Sequence, residues 1–167
     1  MCRTQDGIEL RVMQLADVEK LVALAIWPDE VFPVQGFRQA LTEDVEMHAR
    51  GEGLACAIWI DERMIGYIRL HVYGRGYGEL HYGLAPSYRG RGIVTRACAE
   101  LIAHAFRHLD LESIKVRVRV SNRKSCAVPA RLGFERTGTS RLPDENDCEI
   151  ETAEYVMTKE AWQRRQS

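Results

Sequence analysis

The chain has 167 residues, 46% of them hydrophobic and 28% charged, with a formal net charge of −1. That length suits one globular domain with a substantial core. The near-neutral balance argues against a basic nucleic-acid coat or a polybasic membrane anchor. The longest clean apolar runs, Leu21–Trp27 and Leu54–Ile60, fall far short of the roughly 20 residues a membrane span needs.

In chain order, Ile8–Val12 reads as a first strand. Val18, Leu21, Val22, Ala25 and Ile26 recur at helical spacing, predicting a helix over Ala16–Trp27 that stops before Pro28. Phe37, Leu41, Val45 and His48 predict a second helix over Phe37–Arg50, stopped by Gly51 and Gly53. The period then changes to two, and Leu54–Ile60, Met64–Tyr73 and Gly78–Leu84 read as consecutive strands joined by turns. Helical spacing returns over Ile93–His108. Ile114, Val116, Val118 and Val120 alternate with Lys115, Arg117 and Arg119 as a half-exposed strand. Ser125–Leu132 is a short helix closed by Gly133, and Phe134–Arg141 and Glu151–Thr158 are the last strands. The order β-α-α-β-β-β-α-β-α-β-β predicts an α/β fold with a mixed sheet. The strand over 78–84 should run parallel to that over 113–121, because a helix connects them.

The five cysteines, Cys2, Cys56, Cys98, Cys126 and Cys148, are scattered without a CxxC pair. They predict reduced thiols in a cytoplasm, with no structural metal. The N-terminus has no apolar h-region, so no secretory signal is expected. His104 and His108 stand one helical turn apart but lack a third ligand, so no metal is expected.

The segment Leu80–Thr95, LHYGLAPSYRGRGIVT, carries the strongest chemical signal. A strand ends at Leu84, Pro86 breaks it, and Arg89-Gly90-Arg91-Gly92 leads into a helix. Glycines admit close backbone approach, and a helix start presents unpaired N–H groups, so the junction suits phosphate. Arg89 and Arg91 would reinforce it by charge-assisted bonding. Neither GxxxxGK[ST] nor a full GxGxxG is present, because position 95 is Thr.

Arg89-x-x-Gly92-x-Val94 resembles the pyrophosphate loop of the GNAT (Gcn5-related) N-acetyltransferases. Further similar segments are Asn122-x-x-Ser125, Ala130-Arg131-Leu132-Gly133-Phe134, Glu151-x-x-x-Tyr155, Gly66-Tyr67 and Tyr82-Gly83-Leu84. The resemblance is greatest to the RimJ/RimL-type ribosomal-protein N-terminal acetyltransferases. It implies one domain over 8–162 with short tails at 1–7 and 163–167. It also implies a transferase using acetyl-CoA as co-substrate, with direct attack by a primary amine and no metal.

What the resemblance implies can be placed residue by residue. Backbone N–H groups of Arg89, Gly90, Arg91, Gly92, Ile93, Val94 and Thr95 would hold the pyrophosphate. The edge formed by Tyr82, Gly83 and Leu84 would pair with the pantetheine arm, and Asn122 would hydrogen-bond it. Arg123 or Lys124 would meet the adenosine phosphate, or simply be solvated. Ser125 matches a position proposed as proton donor to the thiolate, although an N-terminal helix hydroxyl also explains it. Glu79 shares a face with His81 by the period of two and is a candidate base. His81 stands where many relatives carry glycine. Asp144, with Glu145 beside it, is another candidate acid or base in an exposed turn. Tyr155 is an alternative acid. Trp27, Phe32 and Phe37 flank the segment expected to form the acceptor pocket.

The acceptor class stays open between a protein or peptide N-terminus and a small amine such as a polyamine, amino acid or antibiotic. A non-catalytic acyl-CoA sensor would retain the same loop. No nucleic acid or membrane partner is expected, and a homodimer is. The small net charge is a cancellation: Arg89–Arg141 carries 12 Lys and Arg against 4 Asp and Glu, while the remainder carries 11 against 20. The acids over Asp144–Glu154 suit a cationic amine acceptor.

Overall fold

Alternating apolar side chains give the β-strands two faces to bury, and the helices supply apolar stripes for both. A computed structural model shows how they combine; it describes residues 2–74, 76–144 and 146–167. The strands are β1 (Cys2–Arg3), β2 (Ile8–Val12), β3 (Gly53–Ile60), β4 (Arg63–Tyr73), β5 (Tyr77–Leu84), β6 (Ser113–Arg119), β7 (Glu135–Pro143) and β8 (Glu149–Thr158). The helices are α1 (Leu15–Ala23), α2 (Val34–Ala49), α3 (Ile93–His108), α4 (Arg123–Leu132) and α5 (Lys159–Gln166).

The sheet order is β1-β2-β3-β4-β5-β6-β8-β7. Its pairs are antiparallel except β5 with β6, which are parallel, as the crossover through α3 requires. The mixed α/β architecture expected from the sequence is present. Two elements are additional: the two-residue β1, and α5. The latter has a polar sequence, but Thr158 Oγ1 caps it by accepting from Ala161 N at 3.1 Å. Trp162 then packs on Phe106 with ring centroids 5.4 Å apart.

Two apolar layers enclose the sheet. On one face, Ile93, Ala97, Leu101, Ala105 and Phe106 of α3 are buried with Ile58, Ile68, Leu80 and Ile114. On the other, α1 and α2 bury Leu21, Phe37 and Leu41 against Ala55 and Tyr67. Helix α1 ends at Ala23, earlier than the expected Trp27. The backbone turns left-handed at Ala25 (φ 49°), and the bend carries Trp27 toward the end of β5. Helix α2 starts at Val34, three residues earlier than expected, because Asp29 Oδ1 accepts from Val34 N at 2.9 Å.

One register detail positions everything that follows. β5 and β6 are paired only at Tyr77↔Ser113, Gly78↔Ile114 and Glu79↔Lys115. Beyond that point the two parallel strands separate.

Candidate active site

The glycine-rich junction folds as its chemistry suggests. After β5, Pro86–Tyr88 makes one tight turn, and Gly90 and Gly92 take φ of 76° and 70°. Only glycine enters that region without cost, so the loop conformation depends on both. Gly92 caps α3 through its backbone alone, leaving the first-turn N–H groups of Ile93, Val94 and Thr95 without a side-chain cap. Val94 packs against the core, which accommodates its bulk at the loop's end.

The two loop arginines divide their labour. Arg89 Nε donates to Leu84 O at 3.1 Å, and its Nη2 donates to Ile26 O. Its side chain therefore ties the loop to β5 and to the bend after α1 while remaining on the wall of the adjacent cleft. Arg91 is exposed and lies over the Tyr88 ring at 5.5 Å.

A cleft of about 330 Å³ opens between this loop, the separated end of β5 and α4. Its walls include Tyr82, Gly83, Leu84, Arg89, Gly90, Gly92, Ile93, Val94, Thr95, Asn122 and Ser125. Arg91 is not on its wall, and of Arg123 and Lys124 only Lys124 is. Tyr88, Lys124 and Arg131 also line the cleft. Lys124 and Arg131 are two helical turns apart on α4; that spacing was available in the sequence, whereas Tyr88 carried no signal. Asn122 Oδ1 caps α4 by accepting from Ser125 N at 3.1 Å, which leaves its amide NH₂ as a donor.

A second cleft, about 220 Å³, adjoins the first on the α1–α2 side of the sheet. Trp27, Tyr82, Asn122 and Ser125 line both, so the two are continuous where β5 and β6 part. Trp27 Nε1 donates to Tyr67 Oη at 3.1 Å, and Phe32, Phe37 and Tyr67 form a tilted aromatic chain behind it. His81, Arg117 and Arg119 supply the polar wall. Arg119 donates to Val31 O and Asp144 Oδ2, each at 3.3 Å, and Asn146 Nδ2 donates to Glu30 O at 2.9 Å. These bonds join the α1–α2 connection to the β7–β8 turn.

The candidate catalytic side chains occupy different settings. Ser125 sits at the junction of the clefts, and its carbonyl accepts from Tyr82 Oη at 3.0 Å. Glu79 is buried beside the second cleft but is not on its wall. Its carboxylate receives Arg117 Nη1 at 3.3 and 3.2 Å, and His81 Nε2 lies 3.4 Å away. The His81 contact, with Arg117 and Arg69 adding charge, holds Glu79 below the usual carboxylate range. His81 is half-exposed at the cleft wall yet packed round by protein atoms. That desolvation draws its pKa below the ordinary imidazole value despite the pull of Glu79.

Asp144 lines neither cleft. Its Oδ1 accepts from Asn146 N and Cys148 N, each at 2.9 Å, organising its own turn and lowering its pKa. Glu145 lies outside the described residues. Tyr155 is buried, with its pKa raised by burial and by Cys126, and it too lines neither cleft. His104 and His108 meet in a tilted contact with ring centroids 4.6 Å apart, and no group of three or more metal-ligating side chains exists among the described residues.

Two of the acids expected to face an acceptor are engaged in ion pairs. Glu154 pairs with Lys115 at 3.6 Å and Arg117 at 3.3 Å, and Asp144 pairs with Arg119. The antiparallel register of β6 with β8 sets Arg117 opposite Glu154.

The geometry agrees with what is similar in sequence and structure. Residues 8–135 match the family described as acetyltransferase (GNAT) domain. YdaF of Bacillus subtilis (strain 168), provisionally named a ribosomal N-acetyltransferase, is 29% identical over 154 residues, covering 84% of each chain. A crystal structure provisionally described as an acetyltransferase superposes with a TM-score of 0.82 at 27% identity, covering 96% of this chain and 98% of the other. RimL, the ribosomal L7/L12 alpha-N-protein acetyltransferase, solved with coenzyme A, has a TM-score of 0.79 at 22% identity and shares the fold, over 93% of this chain and 96% of its own. A glycine loop at a helix start, a parted pair of parallel strands and a family match over most of the chain lead to one conclusion: the protein belongs to the GNAT acetyltransferases and is an acetyl-CoA-dependent N-acetyltransferase.

Proposed function

We propose that the acceptor is the α-amine of a protein or peptide, acetylated by direct attack in a ternary complex. The observation that carries this reading is the continuity of the two clefts at Trp27, Tyr82, Asn122 and Ser125. Two substrates entering from opposite sides of the sheet meet there. The ribosomal assignments of YdaF and RimL support a protein as the acceptor.

The first cleft suits acetyl-CoA in its chemistry. Glycine backbone and a helix start supply N–H donors for the pyrophosphate. Lys124 and Arg131 supply positive charge for the remaining phosphate. The parted edge of β5 at Tyr82–Leu84 offers main-chain groups to an extended amide-bearing arm, and Asn122 offers its amide. The co-substrate brings the activated acetyl thioester. The protein's own part is to align the amine with it, exclude water with Trp27 and Tyr82, and place Ser125 as a proton source for the departing thiolate.

The test is release of free CoA thiol from acetyl-CoA against peptides with free N-termini, the same peptides with blocked N-termini, polyamines and amino acids. Turnover confined to the free-N-terminal peptides is expected. Turnover confined to small amines would overturn the acceptor assignment. Acetyl-CoA binding without turnover on any amine would favour a sensor.

A further inference from the structure

We infer that His81 is the general base that takes the proton from the acceptor ammonium, and that Glu79 is a positioning residue acting through His81. This rests on the acetyl-transfer reading and specifies the proton path on its acceptor side.

The placement of the two side chains separates their roles. His81 lines the second cleft; Glu79 does not. Both Glu79 oxygens face Arg117 Nη1, at 3.3 and 3.2 Å, and His81 Nε2 lies 3.4 Å from Oε1. A buried carboxylate held between two cationic or N–H-bearing groups stays ionised and is a weak proton acceptor. It can instead fix the imidazole with Nε2–H toward Oε1, which leaves the lone pair on Nδ1. An orienting carboxylate behind an imidazole is a recurrent device for a general base.

The other groups facing His81 favour its neutral form. Arg69 of β4 is its register partner, and Arg117 of β6 lies on its other side. Arg69 is engaged with Asp44 at 3.2 Å, and Arg117 with Glu79 and Glu154. Both cations oppose protonation of His81, and Glu79 favours it. Desolvation outweighs the pull of Glu79 and shifts the imidazole toward the neutral form that a base requires.

The proton balance closes without any other reactant. His81 Nδ1 accepts one proton from the acceptor ammonium. The freed nitrogen lone pair forms the C–N bond to the acetyl carbonyl carbon, and the C–S bond breaks with its electron pair going to sulfur. Ser125 Oγ gives its proton to the thiolate, which leaves as CoA thiol, and the second nitrogen proton, lost as the amide forms, restores the Ser125 hydroxyl. His81 returns its proton to water.

The experiment combines kinetics with a direct titration. His81→Gln should lower kcat about 100-fold at neutral pH. Its acetyl-CoA affinity should be unchanged, and its rate should recover as rising pH deprotonates the acceptor without help. Glu79→Gln removes the charge that favours the imidazolium, so the acid limb of the rate profile should move to lower pH. The His81 ring-proton NMR titration should move with it. A group with a purely structural role would move neither the limb nor the titration. Turnover in His81→Gln equal to the parent, with the same acid limb, would overturn the inference while the parent's own turnover upheld acetyl transfer. A His81 resonance unmoved in Glu79→Gln would overturn the positioning role. Acetyl-CoA binding by the parent with no turnover on any amine would overturn both readings together.

Discussion

The hydroxyl of Tyr82 on β5 donates to the backbone carbonyl of Ser125 on α4 at 3.0 Å, spanning the gap where β5 and β6 have parted. This contact holds the Ser125 backbone at a fixed distance from the edge of β5. Tyr82→Phe keeps the ring and deletes the bond. It should cost about 1 kcal/mol of stability, a Tm decrease of roughly 2–4 °C. Ser125→Ala should lower kcat far more than it weakens acetyl-CoA binding, because it removes a proton source and leaves the backbone carbonyl in place. Equal kcat in Ser125→Ala would take that hydroxyl out of the reaction.

Gly92→Glu should abolish acetyl-CoA binding. The position has φ of 70°, caps α3 and lines the first cleft. A side chain there is strained, and a carboxylate adds negative charge where the proposed pyrophosphate would sit. Isothermal titration with acetyl-CoA is the measurement. An unchanged affinity would remove the loop from the binding site.

Gly83→Ala should damage both clefts. An added Cβ would stand 2.6 Å from Tyr67 Cε1, 2.8 Å from Ile26 Cγ2 and 3.2 Å from Trp27 Cζ2. Overpacking of this kind costs roughly 1–3 kcal/mol. Because Trp27 must move, acceptor KM should rise in the same variant. Thermal unfolding and acceptor kinetics together check the prediction.

Asp44 links stability to pH. It is buried beside Arg69, and burial raises its pKa from 3.8 to about 6. Between those values the folded protein holds a proton that the unfolded chain releases. The native state is therefore favoured on the acid side, and that contribution is lost as pH rises through about 6. The linked free energy is roughly 3 kcal/mol at most. Asp44→Asn removes the titration, so denaturant unfolding should show the variant gaining on the parent between pH 4 and pH 6. A difference that stays constant with pH would refute the assignment.

Much of the fold was legible because its signals are local. The period of two over Met64–Tyr73 and the helical stripe Ala97, Leu101, Ile102, Ala105 and Phe106 need no tertiary information. Parallel pairing of β5 with β6 followed from the connecting helix. The insertion of β8 between β6 and β7 was not legible, because sequence order does not encode which edge a final hairpin joins. Helix α5 was missed because Lys159–Gln166 has no apolar stripe, and its packing depends on Trp162 meeting Phe106.

The site divides the same way. The glycine-rich loop was legible because its glycines and the helix start lie within a few residues of one another. The side chain of Arg89 was not, since one of its acceptors, Ile26 O, comes from a bend 63 residues earlier. His81 was visible only as an unusual residue beside Glu79. Its setting depends on Arg69 and Arg117, which β4 and β6 bring in from either side. Asp144 was a candidate by resemblance alone, and its contacts with Asn146, Cys148 and Arg119 depend on how the β7–β8 turn folds.

β5 and β6 are joined by three residue pairs at one end and by none toward Leu84 and Arg119. The sheet is thus laced at one end only, and a molecule seated in the gap completes what the chain leaves open. Binding of that kind adds to folding stability by mass action, about 2.7 kcal/mol at 100 times Kd. The acetyl-CoA level around the protein then becomes a term in its folding equilibrium. Starvation for the acyl donor would leave the protein both idle and easier to unfold and degrade.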